Sequence, residues 1–252
     1  AGFSSYIQIV VTIFMIAFGV NFTFYYLVII GRRWKDALRM AEVRAYILII
    51  FVAAAAISFN IRHMYGSIFE AIKHSAFQVA SIITTTGFST VDFNQWPEFS
   101  KTILLMLMFV GACAGSTGGG MKVSRLIIWL KTFCKELKVM VHPRNIYKVS
   151  VDGRKVEHEV IRSVNVFLVA YILTYAVSVL LVSIDGFDFT TNFSGVSATI
   201  NNVGPGFNAV GPMENFSIFS PFSKCVLIFD MIAGRLELFP ILLLFSKATW
   251  KK

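Results

Sequence analysis

The apolar residues of this chain fall in long uninterrupted blocks, and those blocks limit its fold more than any other feature. Five are long: Tyr6 to Ile30, Ala45 to Phe59, a block that begins near Ser100 and meets a small-residue run at Gly111, Val164 to Ile184, and Phe222 to Phe245. A helix needs about 20 apolar residues to cross roughly 30 Å of hydrocarbon. Two shorter blocks, Ile68–Ile83 and Phe189–Ile200, lie between them. They are too short to span and suit helices that enter the bilayer and return on the same side. Composition agrees with a bilayer as solvent. The chain is 56% hydrophobic and 15% charged, whereas a soluble domain carries about a quarter charged residues. Mean hydropathy is +0.69.

Positive charge then orients the blocks. Net charge is +9, but the basic residues cluster between apolar stretches. A nucleic-acid footprint would instead be a basic face on a folded domain, so no nucleic-acid partner is expected. Gly31–Arg44 holds Arg32, Arg33, Lys35, Arg39 and Arg44; Lys122–Arg162 holds ten Lys or Arg; the tail adds Lys247, Lys251 and Lys252. These are eighteen of the 23 basic residues. By the positive-inside rule these stretches face the cytoplasm. The first block then runs inward, the second outward, the third inward, the fourth outward and the fifth inward, with each short block dipping from the outer side. Cys113, Cys134 and Cys225 make an odd count in apolar surroundings and give no disulfide framework. The chain does not begin with Met and its opening lacks the basic flank and cleavage site of a signal peptide. A fragment or a processed chain is expected.

The unit of helix, short re-entrant helix, loop and helix occurs twice. Phe99-Ser100-Lys101 aligns with Phe222-Ser223-Lys224 at an offset of 123, and six of thirteen positions are then identical, through Gly111 against Gly234. Upstream, Thr85-Thr86-Gly87-Phe88 aligns with Asn202-Val203-Gly204-Pro205 at an offset of 117. The expected fold is an all-α integral membrane protein, built from repeated units of helix, re-entrant pore helix, filter loop and helix around a central ion pathway. The expected divisions are 1–44 (a transmembrane helix closing a preceding repeat, with a cytoplasmic linker), 45–135 (one helix–pore-helix repeat with its glycine-rich intramembrane loop), 136–160 (a cytoplasmic connector) and 161–252 (a second repeat). In repeat-built membrane proteins the substrate site commonly lies at the repeat interface, where the two dipping segments would meet.

Two motifs follow the short helices. Ser81 to Ser89 runs through Thr84-Thr85-Thr86-Gly87-Phe88, and its second copy is Asn201-Asn202-Val203-Gly204-Pro205-Gly206. A dehydrated cation needs several oxygen ligands. Extended backbone supplies carbonyls, Thr adds a hydroxyl, and Gly permits the angles that aim successive carbonyls at one axis. Val203-Gly204 matches the central pair of the potassium-channel filter sequence Thr-Val-Gly-Tyr-Gly. Thr85, Thr86, Gly87, Asn202, Val203 and Gly204 are the expected ion ligands, with Thr84, Phe88, Asn201 and Pro205 beside them. The alternative is that each Gly simply ends a short helix.

The run Gly111 to Lys122 includes Gly115, Ser116, Thr117, Gly118, Gly119 and Gly120. Each Gly costs about 1 kcal/mol relative to Ala in a helix, yet the run lies in membrane-depth sequence. Broken backbone at that depth is tolerated when it is buried in protein or lines a watery cavity. We read it as a flexible loop just inside the filter that blocks or clears the pathway. A phosphate loop is disfavoured by Met121, which interrupts the Gly-Lys-Ser/Thr ending, and by the lack of a preceding strand. Close helix packing through small residues is the alternative. Arg235 lies inside the last block, with Asp230 and Glu237 as its acidic neighbours in sequence. It reads as a positive charge facing the cation path, or as half of an ion pair with one of those acids, or as snorkelling to the inner surface. In the cytoplasmic stretch, Val149 to Val156 carries Asp152-Gly153, a hairpin turn signal. That stretch reads equally as a partner-docking surface and as a solvated connector.

Together these motifs resemble the Trk/Ktr superfamily of potassium transporters. The matching elements are Thr84 to Phe88, Ala114 to Lys122, Asn201 to Gly206 and Ala233-Gly234-Arg235-Leu236-Glu237. The resemblance covers the whole chain and is nearest to bacterial Trk membrane subunits. It implies four helix–pore-helix repeats around one pore, of which this chain is similar to the last two. It implies potassium as the transported ion with no organic cofactor, and the remaining N-terminal repeats of the same pore as partners. It also implies a homodimer, a cytosolic ring of nucleotide-binding regulatory subunits, and the bacterial cytoplasmic (inner) membrane as the site of a multi-pass protein.

The leading expectation is potassium uptake through a channel-like pore with a backbone-carbonyl selectivity filter, gated by the glycine-rich loop and Arg235. The alternative is an ion-coupled secondary transporter, a sodium or proton symporter with a broken-helix substrate site. An enzyme is not expected. His63, His74, His142 and His158 sit near or outside membrane ends and form no ligand pattern. Orientation is testable directly: single cysteines at Asn145 and Asn94, in a background without native Cys, will label from opposite sides of the membrane. Labelling of both from outside would overturn the assignment.

Overall fold

The computed structural model describes residues 2–145, 147–236, 238–244 and 250. Its elements are helical apart from one hairpin. In chain order they are α1 (Ser5–Phe18), α2 (Phe22–Tyr25, continued by a π turn to Ile30), α3 (Trp34–Arg39), α4 (Ala41–Ile61), α5 (Ile68–Ile83), α6 (Glu98–Val110), α7 (Val123–Val141), β1 (Ser150–Val151), β2 (Arg154–Lys155), α8 (His158–Val182), α9 (Phe189–Ile200), α10 (Pro221–Arg235) and α11 (Leu238–Leu244). The two short apolar blocks form helices with the bounds expected from sequence, α5 and α9.

Three of the long blocks do not form single straight spans. Among the described residues, only Ala41–Met64 and His158–Asp185 are long and apolar enough to cross a membrane unaided; the first block adds a third if its two bent halves count together. That block bends by 93° between Phe18 and Phe22. The bend lies where Gly19 packs so tightly on the Tyr46 hydroxyl that a methyl group there would collide with it. Asn21 then caps α2 by accepting the Thr23 N–H at 2.8 Å. The freed backbone groups find partners in the glycine-rich run: Cys113 N–H donates to Gly19 O at 3.0 Å and Phe22 N–H to Gly115 O at 3.2 Å. A helix break at membrane depth persists only when such groups are satisfied again. The last block splits into α10 and α11. Pro240 cannot continue a helix through Leu236 because its ring meets the carbonyl four residues back; restarting at Leu238 leaves Pro240 in the first turn, where it is tolerated. The third block stops at Gly111, whose φ of +70° and contact with the Met121 carbonyl end α6 after 13 residues. Beyond the glycine-rich run, α7 extends unbroken to Val141, an element the charge count alone does not reveal.

Two similar layers result. α5 packs against α1, α4 and α6, and α9 packs against α8 and α10, with α6 touching α9. The larger core gathers Tyr46, Ile57, Ile82, Ile83, Leu104 and Met108 with Val203 and Phe207 from the second layer. Phe93 meets Phe207 edge to face at 5.4 Å, which ties the two outer loops together. At the opposite end, Asp152 (φ 51°) and Gly153 (φ 76°) form the expected tight turn between β1 and β2. The Asp152 carboxylate accepts the Ala41 N–H at 2.7 Å, so the hairpin caps α4. Many apolar side chains remain exposed, among them Phe51, Phe59, Met106, Leu173 and Leu180. Such a surface fits lipid, not water.

Candidate functional site

The site begins with the two short helices. Ser67 caps α5 through the Glu70 N–H and Asp188 caps α9 through the Thr191 N–H at 3.0 Å. Hydrogen bonding, led by the Thr191 hydroxyl, holds the Asp188 carboxyl below the usual carboxylate range. α5 and α9 have 16 and 12 residues, so at 1.5 Å per residue they reach roughly 24 Å and 18 Å. Their C-termini, the negative ends of their dipoles, run directly into the two expected filter loops.

Those loops have the same backbone. Thr85 and Asn202 both adopt φ of 55°. Thr86 N–H and Gly87 N–H both turn back to Ser81 O, at 2.9 and 3.4 Å; Val203 and Gly204 do the same to Ala198 O, at 2.8 and 3.4 Å. The correspondence is the 117-residue offset read from the sequence. It also shows that Gly87 and Gly204 do not end the helices. Thr85 and Asn202 occupy the left-handed capping position, and the glycines follow two residues later. Asn tolerates that conformation, whereas for a β-branched Thr it is strained. The Thr85 hydroxyl makes a compensating bond, accepting Gly119 N–H at 2.7 Å.

Gly87 has φ of +78°, and a methyl group on it would strike the Val203 carbonyl oxygen. The two loops therefore meet backbone to backbone, as only Gly allows. Around them the hydroxyls brace the turns: Thr84 pairs with Thr86 at 2.8 Å, Ser81 donates to Phe88 O at 2.6 Å, and Ser194 accepts Phe207 N–H at 2.8 Å. Phe88 is exposed and Val203 buried; Pro205 adjoins Gly87. The backbone carbonyls of Thr85, Thr86, Gly87, Asn202, Val203 and Gly204 accept no hydrogen bond from any described residue. Unpaired backbone oxygens in such number are uncommon away from water. Residues of both loops line a cleft of about 510 Å³.

The glycine-rich run lies against the helix-end side of these loops. Gly118 approaches Thr84 O, Gly119 approaches Asn201 O, and Gly120 approaches the Asn201 side chain. Ser116 donates to Cys113 O at 2.6 Å and Lys122 to Gly118 O at 2.5 Å. Arg235, the last residue of α10, donates from Nη1 to Thr117 O at 3.0 Å. Ser116 to Gly120, Tyr171, Ile200 and Arg235 border a cavity of about 210 Å³. Asp230 is not the partner of Arg235: it is fully buried and accepts the Ser178 hydroxyl at 2.7 Å. Glu237 lies outside the described residues.

Tyr171 and Glu42, and the bond from Asn202 to α10, were not foreseen from the sequence. Tyr171 donates to Asn201 Oδ1 at 3.0 Å, and Asn202 Nδ2 donates to Met231 O at 3.1 Å, which ties the second loop to the helix that ends in Arg235. Glu42 accepts from Asn21, Ala114 and Ser124. The available signal for Glu42 was one of two acids, with Asp36, in a basic stretch, and nothing local names its partners.

Two short helices, each running into a glycine turn whose carbonyls accept no hydrogen bond from any described residue and each packed between the neighbouring helices of its layer, define a membrane protein of the helix–pore-helix–helix class. Comparison with known proteins agrees. The family model described as TrkH, cation transport protein, matches residues 1–252, and the chain belongs to that family. It is 36% identical over 248 residues to the Trk system potassium uptake protein TrkH of Escherichia coli K12, covering 98% of this chain and 51% of that protein. It is 35% identical over 252 residues to TrkG of the same strain, covering 99% of this chain and 51% of that protein. The crystal structure of the potassium transporter TrkH from Vibrio parahaemolyticus superposes with a TM-score of 0.90 at 36% identity, covering 98% of this chain and 53% of that one. The chain thus spans about half the length of the relatives it matches.

Proposed function

We propose that this chain forms part of a potassium uptake pathway in the bacterial cytoplasmic membrane, with the two glycine turns as half of its selectivity filter. The observation that carries the reading is the set of six carbonyls that accept no hydrogen bond from any described residue, on two loops that abut at Gly87 and Val203. Carbonyl oxygens replace the hydration shell of a dehydrated cation, and the negative ends of α5 and α9 favour positive charge there. Relatives named as Trk system potassium uptake proteins support potassium as the ion. On this reading, further repeats complete the ring of loops. A homodimer and a cytosolic ring of nucleotide-binding subunits on the basic face belong to the same proposal, as does the division at residues 44, 135 and 160.

The gate in this proposal is the run Gly111 to Gly120 together with Arg235. The run sits directly against both filter loops, and the guanidinium both holds its Thr117 carbonyl and places a positive charge beside the path. An ion-coupled symporter is the second reading, favoured by the 93° break in the first block. It predicts uptake that follows a sodium or proton gradient.

Two outcomes test the proposal in the complete protein. Gly87→Ser forces the filter loops apart and lowers potassium-over-sodium selectivity by roughly tenfold, about 1.4 kcal/mol of differential ion stabilisation. Unchanged selectivity, measured by competing rubidium and sodium uptake, would count against the filter. Arg235→Ala and a deletion within Ser116–Gly119 each raise flux without the regulatory partner, and combined they are less than additive because both act on one barrier. If both variants insert and flux stays at the parent level, the gate lies elsewhere.

A further inference from the structure

The glycine-rich run is held at its two feet by one buried carboxylate. Glu42, in the first turn of α4, is 8% exposed. Its Oε1 accepts Ala114 N–H at 2.6 Å and Ser124 N–H at 3.1 Å; its Oε2 accepts Asn21 Nδ2 at 3.3 Å. Ala114 precedes Gly115–Gly120 and Ser124 follows them, so a single oxygen spans the base of the loop. Val123 N–H donates to Ala112 O at 3.1 Å and closes the same base. Ser124 is the second residue of α7, where a helix leaves its N–H unpaired and its dipole favours an acidic group. Asn21 belongs to the bend between α1 and α2, and its Oδ1 is already committed to Thr23 N–H. Its amide therefore has one orientation and one partner on Glu42.

We propose that Glu42 is the anchor of the glycine loop: it fixes both feet, confines movement to Gly115–Met121, and joins that movement to the bend at Gly19–Asn21. The proposal rests on the gate reading above. Glu42 touches none of the filter carbonyls, so it is a positioning residue that acts through the loop. The contacts at the loop tip, Gly119 to Thr85 and Arg235 to Thr117, keep their register only while the base is fixed.

The test uses the complete protein in liposomes without its regulatory partner. It compares Glu42→Ala, Glu42→Gln and Arg235→Ala by rubidium flux, and the Glu42 variants also by thiol labelling of a cysteine at Thr117 in a background without native Cys. Glu42→Ala leaves two backbone donors unpaired and raises both flux and labelling rate by about tenfold, the equivalent of roughly 1.4 kcal/mol lost from the closed position. Glu42→Gln keeps one carbonyl oxygen for Ala114 and Ser124 and restores most of the parent behaviour. If Glu42→Ala does not insert, Glu42→Asp, which withdraws the oxygens by one methylene, gives the same rise. The anchor is refuted if Arg235→Ala raises flux while the Glu42 variants leave flux and labelling at parent values. If Arg235→Ala leaves flux unchanged while Glu42→Ala still raises labelling, the gate reading fails and the anchoring of the loop stands.

Discussion

Within a bilayer every backbone N–H and C=O that leaves a helix must find another partner, because no water is there to replace the lost bond. The arrangement of this chain follows from that requirement. Where α1 breaks, the freed groups of Gly19 and Phe22 pair with Cys113 and Gly115; where α6 breaks, Ala112 pairs with Val123. Breaks in distant parts of the sequence thus satisfy one another, and the broken backbone collects in one place. Against that background, the six carbonyls of the two glycine turns that accept no hydrogen bond from any described residue stand out, and on the proposed reading they are kept available for an ion.

The contacts form one connected path. From the first loop, the Thr85 hydroxyl takes Gly119 N–H, Thr117 O takes the Arg235 guanidinium, and α10 returns to the second loop through Met231 O and Asn202. The two glycine turns, the glycine run and Arg235 are therefore linked by a short series of neutral and charge-assisted hydrogen bonds. Gly234 makes the series compact: a methyl group there would strike the Ile200 carbonyl, so α10 lies against the end of α9 with no side chain between. Gly111 occupies the matching place in the first layer but ends its helix. One layer gives a continuous helix ending in Arg235; the other gives the loop that Arg235 holds.

Much of this was legible in the sequence because it is local. The bounds of α5 and α9, the Asp152-Gly153 hairpin and the equivalence of the two loops follow from block length, turn chemistry and a fixed offset. The bend at Gly19–Asn21 was not legible, since it depends on Tyr46 packing on Gly19 and on hydrogen-bond partners, Cys113 N–H and Gly115 O, nearly a hundred residues away. The split of the last block was signalled by Pro240 but hidden by the apolar run around it. α7 was obscured because its basic residues read as a cytoplasmic stretch, though its hydrophobic positions recur at helical spacing. Glu42 was least accessible: its partners lie 21, 72 and 82 residues away in sequence, and its neighbours argue only for a charged membrane boundary.

The central claim is that backbone carbonyls of the two glycine turns bind the transported ion. Diffraction from crystals of the complete protein soaked in rubidium or thallium tests it most directly, because both ions substitute for potassium and scatter anomalously. The account predicts anomalous density within coordination distance of the carbonyls of Thr85, Thr86 and Gly87 and of Asn202, Val203 and Gly204. Density confined to the cavity beside Arg235, with the filter carbonyls instead bonded to protein or ordered water, would contradict it.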